Sequence, residues 1–162
     1  MSDIMFKREI ILAMTRIKTS MKNVLDPIFN EADLSFLHAI ILIGVSMGAI
    51  TNISGICRET GMSPGNASNL CKRLETDGLL ERTRDLDDER VVRITLTNEG
   101  KARTETIWAL MDTPFQYIDA AEDSKKKSIL VGLSDLSDLL ENIHNQNKPN
   151  AILDDRKGNS HA

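Results

Sequence analysis

The sequence predicts a mainly α protein with a small β-hairpin wing: a winged helix-turn-helix lobe joined to a helical dimerisation lobe. Three observations carry that expectation. Apolar residues recur at spacings of three and four over most of the chain, the period of an amphipathic helix. Between Ile53 and Thr97 the pattern becomes helix, Gly turn, helix, and then two short alternating segments around an acidic turn. Aromatics make up only 4% of residues while Leu, Ile and Met are plentiful, which suits helix-on-helix packing.

Taken in order, Ile10, Met14, Ile17, Met21, Val24 and Ile28 form the stripe of a first helix, expected to end near Asp26-Pro27. Asp33 and Ser35 can cap a second, which is apolar nearly all round and so should sit centrally. A short third helix opens at Thr51 or Asn52 and stops at Gly61. Ser63 is expected to cap a fourth, with Pro64 at its first position, where a missing N–H costs nothing. Ala67, Leu70, Cys71 and Leu74 give that helix its inward face. Leu79 to Arg84 and Val91 to Leu96 read as strands flanking Asp85-Leu86-Asp87-Asp88. Thr97 caps a long fifth helix, which Pro114 should kink or break. The sixth begins near Asp123. Residues 1–31 and 99–147 are assigned to the dimerisation lobe, 32–98 to the winged lobe and 148–162 to a disordered tail.

At 162 residues the chain can bury one good core. Its formal charge of −4 argues against indiscriminate nucleic-acid binding, so any DNA contact must come from a local basic surface. Lys7, Arg8 and Glu9 interrupt any N-terminal apolar run, so neither a signal peptide nor a membrane association is expected, and the compartment indicated is the cytoplasm. No phosphate-binding Gly loop, nucleophile elbow or His pair of metal-ligand spacing is present. An enzyme, a cofactor and a metal site are therefore not expected.

Two stretches, LETDGLLER (Leu74 to Arg82) and DDERVVRITLTNEG (Asp87 to Gly100), resemble the MarR (multiple antibiotic resistance regulator) family of winged helix-turn-helix repressors. The family wing has an Asp, then Arg, then strand residues, then Leu-Thr-x-x-Gly opening a helix. Asp88-Glu89-Arg90 and Leu96 to Gly100 match it, and with the flanking helices the resemblance spans roughly residues 4–147. It implies a cytoplasmic homodimeric regulator on a pseudo-palindromic DNA operator. It also implies that Arg90 is a minor-groove finger oriented by Asp88. One departure concerns Asn69, where relatives often carry Arg. Asn can still read adenine, but the operator cannot be borrowed.

The residues assigned to DNA are Ser63, Pro64, Gly65, Asn66, Ser68, Asn69, Lys72, Arg73, Arg84, Asp88 and Arg90. Short polar side chains and a Gly allow close approach to base edges, while the cations meet phosphates. Arg82 is a weaker candidate for the backbone. A ligand cleft between lobes is expected from Met14, Arg16, Ile17, His38, Trp108 and Met111, suited to a small aromatic or carboxylate compound that releases DNA. Two alternatives stand beside this reading. One is a winged helix used as a protein-interaction module, although the fourth-helix face lacks aromatic anchors. The other is a redox-sensing repressor using Cys57 or Cys71. Both cysteines fall on inward faces, and the first helix, where some relatives carry a sensing thiol, has none.

Overall fold

A computed structural model describes residues 3–84 and 92–146. Among these the order is α1 (Asp3–Glu31), α2 (Phe36–Ser46), α3 (Ile53–Thr60), α4 (Pro64–Thr76), β1 (Leu80–Arg84), β2 (Val92–Leu96), α5 (Asn98–Asp119) and α6 (Asp123–Gln146). The mainly helical fold with one antiparallel hairpin is the expected class. The tip between the strands, with Asp88 and Arg90, and the tail from 148 lie outside the described residues.

Neither proline ends its helix. α1 runs through Pro27 to Glu31, which corrects the expected end near Asp26-Pro27, and of the kink or break expected at Pro114 the break does not occur, α5 continuing to Asp119. A proline in a helix removes one N–H bond and crowds the carbonyl four residues back. Packing offsets that local cost. Leu25, Ile28 and Phe29 around Pro27 are all buried, and Met111 and Phe115 beside Pro114 pack against the same core.

Local chemistry sets the other boundaries. Ser35 accepts the His38 N–H at 3.4 Å to open α2, and Asn52 accepts the Gly55 N–H at 2.8 Å to open α3. Gly61 ends α3 with φ of 69°, a left-handed conformation that glycine adopts without a Cβ clash. Ser63 occupies the cap position of α4, but its hydroxyl makes no capping bond, contrary to expectation. Its carbonyl alone serves, accepting the Ala67 N–H at 2.9 Å.

Strands β1 and β2 pair from Leu80 opposite Leu96 to Arg84 opposite Val92. The hairpin is docked onto the helices from both sides. Ile94 donates its N–H to the Thr51 carbonyl at 2.9 Å, while Leu80 and Ile94 point into the core. At its end, Thr97 donates its hydroxyl to the Gly78 carbonyl (2.6 Å) and accepts the Gly100 N–H (2.9 Å). A Cβ on Gly100 would come within 2.0 Å of the Leu79 carbonyl oxygen. The Leu-Thr-x-x-Gly run therefore makes a joint in which the start of α5 lies against the backbone leaving α4.

The core is built from Phe29, Ile41, Leu42, Ile50, Ile56, Leu74, Leu80 and Ile107, each burial contributing roughly 1.5–3 kcal/mol. α2 supplies its middle through Ala39, Ile41 and Leu42, although its first turn leaves Phe36 and Leu37 partly open. The chain divides into two compact units, residues 1–115 and 116–162. The core of the first reaches past 31/32 and 98/99, since Leu25, Ile28, Phe29, Thr104 and Ile107 all belong to it.

Candidate nucleic-acid interface

Helices α3 and α4 are joined by three residues, Gly61 to Ser63, and pack through Ile56, Ala67, Cys71 and Leu74. That leaves α4 one free side. At 3.6 residues per turn, Gly65, Asn69, Lys72 and Thr76 run along its centre, with Asn66 and Arg73 on one flank and Ser68 on the other. All are exposed except Ser68, which is half-buried. Thr76 was not foreseen; its position four residues beyond Lys72 was the available signal.

This face has three properties that suit a duplex. No acidic residue occurs from Thr60 to Leu74, in a chain that carries 24 of them. The side chains at its centre are short or basic. Gly65 has no internal reason to be glycine, because a Cβ there would meet nothing within 4 Å. The first N–H groups of α4 lack helical partners and the Ser63 hydroxyl is unused by the cap, so donors converge at this end, where phosphate oxygens bind well.

Behind this face α4 is tied to the hairpin. Arg82 donates through Nε and Nη2 to Glu75 Oε2, the Nε contact at 2.8 Å. That hydrogen bond holds the Glu75 carboxyl below the usual carboxylate range. Arg82, read from sequence as a candidate for DNA backbone contact, is thus engaged in positioning the wing. Arg84, two residues on, is exposed on β1.

His38 lines a cleft of about 610 Å³ formed by the end of α1, the α1–α2 turn, the C-terminal half of α4 and the start of α5. Arg73 and Asp77 of α4 line it too, as do Arg103 and Glu99 of α5. Burial lowers the proton affinity of His38, Arg73 lowers it further and Asp77 opposes them. The other residues expected around a ligand do not line this cleft. Met14, Arg16 and Ile17 are exposed along α1, Trp108 is partly open on α5, and Met111 packs against the core. Cys71 is fully buried, and burial pushes its thiol up, away from the reactive thiolate; Cys57 is half-buried.

A three-residue turn between two helices, the second with a free acid-poor face, and a hairpin locked behind it define a winged helix-turn-helix transcription regulator. Residues 23–107 match the SarA/Rot family of transcriptional regulators, and the chain belongs to that family. It is 30% identical over 93 residues to the HTH-type transcriptional regulator SarZ of Staphylococcus haemolyticus, covering 57% of this chain and 63% of that relative. The SarZ of Staphylococcus saprophyticus is 29% identical over 116 residues, 72% of this chain and 74% of its own length. Among solved structures, NadR in complex with 4-hydroxyphenylacetate has a TM-score of 0.69 at 22% identity, covering 80% of this chain and 91% of NadR. Apo MarR from E. coli has a TM-score of 0.60 at 17% identity, with 76% and 93% covered. A mutant of S. aureus MepR bound to an oligodeoxyribonucleotide has a TM-score of 0.55 at 20% identity, with 80% and 96% covered. The resemblance read from the wing is thus met by MarR-like structures at the level of fold. Among the described residues no single helix is long and apolar enough to cross a membrane.

Proposed function

We propose that this protein is a sequence-specific, homodimeric DNA-binding regulator, most simply a repressor, whose α4 enters the major groove while the wing reaches the adjacent minor groove. The observation that carries this is the outward face of α4: acid-free, centred on Gly65, Asn69 and Lys72, and unoccupied by any other described part of its unit. Ser63, Pro64, Gly65, Asn66 and Ser68 approach base edges and phosphates near the helix start. Lys72 and Arg73 neutralise phosphates, and Arg84 extends the cationic line toward the wing. The minor-groove contact expected from the family resemblance, Arg90 with Asp88, falls in the segment outside the described residues.

Dimerisation is supported by apolar surface that the two compact units leave uncovered, each on its own. Ile11 on α1 is 65% exposed, and Leu130 and Ile143 on α6 are 68% and 54% exposed. Large contiguous apolar faces mark contact surfaces. Residues 1–31 and 99–147 are the segments that would supply that interface. A two-fold axis then sets the two α4 helices about one DNA turn apart, roughly 34–36 Å.

A salt titration of the full chain with its own promoter duplex and a scrambled duplex tests the reading. Affinity should fall steeply as salt rises, and the promoter should be preferred. Binding that ignores salt and sequence would point to a protein-interaction module instead.

A further inference from the structure

Within the cleft beside His38, the polar groups divide into those already satisfied and those that are not. Arg103 already has two partners: Nη1 donates to the Ala32 carbonyl at 2.7 Å and Nη2 to Glu99 at 3.3 Å. Ser35 already caps α2. Three charged groups in the same cleft remain uncommitted, for the side chains of Asp33, Arg73 and Asp77 form no hydrogen bond or ion pair among the described residues. Asp77 is the C-cap of α4, four residues after Arg73, and Asp33 of the α1–α2 turn lines the same cleft. Arg73 and Asp77 both act on the half-buried His38, in opposite senses. A simple anion would meet the two carboxylates as well as Arg73. A simple amine would leave Arg73 unmatched.

We propose that this cleft binds a small zwitterion, a free α-amino acid, with the carboxylate on Arg73 and the ammonium group on Asp33 and Asp77. Hydrogen bonds to ionised groups are stronger than those between neutral ones. The volume of about 610 Å³ leaves room for a side chain and retained water. The regulatory consequence rests on the reading of α4 as the DNA helix. Arg73 lies on the flank of the outward face, so a bound carboxylate draws from the DNA surface one cation that would otherwise serve a phosphate. Ligand and DNA then compete, and each weakens the other by the same factor.

The test uses the full chain and the twenty L-amino acids, each added singly at millimolar concentration. The N-acetyl and methyl ester forms of each are run beside it. Thermal shift screens them and calorimetry measures binding. At least one free amino acid should stabilise the protein, with both blocked forms bound at least about tenfold more weakly. Asp33→Asn, which keeps a residue tolerant of the positive φ of 55° found there, and Asp77→Asn should each lose that binding while holding DNA as wild type does. The bound amino acid should weaken promoter binding about fivefold or more and lower the salt slope by about one per protomer. Failure of every free amino acid to bind, equal binding of the blocked forms, or unchanged affinity in both variants overturns the proposal. DNA binding measured without ligand in the same series separates this failure from failure of the regulator reading.

Discussion

Helices α4 and α6 are built from similar amphipathic patterns and end in opposite situations. In α4, Ala67, Cys71 and Leu74 are fully buried, and what remains outside is polar. In α6 no residue is buried, and Ile129, Leu133, Leu140 and Ile143 lie open along one stripe. A helix whose apolar stripe is satisfied by its own unit has its polar face free for a ligand. A helix whose stripe is unsatisfied needs another surface, which in the proposed dimer a second copy would supply. The difference separates the residues that hold the fold from those that hold the assembly.

Leu74 puts that contrast to its most forceful test. Replacing it with Ala should cost about 2–5 kcal/mol by cavity formation, seen as a urea midpoint lowered from wild type by the same amount at every protein concentration. The α6 counterpart, Leu133→Asp with Leu140→Asp, should leave the helical content intact and shift the protein toward monomer by at least about tenfold in dissociation constant. Light scattering at several concentrations decides it; an unchanged mass would remove α6 from the interface. Gly100→Ala should cost roughly 1–3 kcal/mol, because the Leu79 carbonyl must retreat from the new methyl group.

Substitutions on the free faces probe the other half of the contrast without disturbing the fold. Arg90→Ala should weaken promoter binding by about 1–3 kcal/mol at unchanged melting temperature, and wild-type affinity in this variant would refute the wing assignment. Lys72→Ala should weaken binding to all duplexes alike and reduce the salt slope by about one.

A slighter change is expected from Glu75→Gln, which breaks the tie to Arg82. Because the folded carboxyl titrates below its ordinary value of 4.5, the pair stabilises fully above that pH and is lost as pH falls through the folded value. Wild type and Glu75→Gln should therefore converge in stability in acid and separate slightly near neutrality. A difference that grew as pH fell would contradict the ion pair.

Much of the fold was legible because it rests on local rules. The helix period, the Gly61 turn, Asn52 and Thr97 as caps, and the alternation in β1 and β2 are properties of neighbouring residues. The prolines misled for the same reason. Pro27 and Pro114 are breakers by local rule, and only the packing of Phe29 and Phe115 beside them offsets the hydrogen bonds an unbroken helix loses there. Ser63 likewise has the cap residue type but not the cap bond.

The candidate DNA face was readable from α4 in isolation, since a helix with a settled inward stripe has its outward residues fixed by periodicity. Partners brought together from distant parts of the chain were not readable. Nothing in the order of residues reveals that Arg82 turns back to Glu75, or that Asp33, His38, Arg73 and Asp77 line one cleft. Backbone preference and apolar period act over a few residues, so the linear order was enough for the elements, their succession and the chemistry of the exposed helix face. Which charges are paired and which are free had to wait for the folded chain, because electrostatic pairing depends on distance in space and on burial, neither of which a linear order contains.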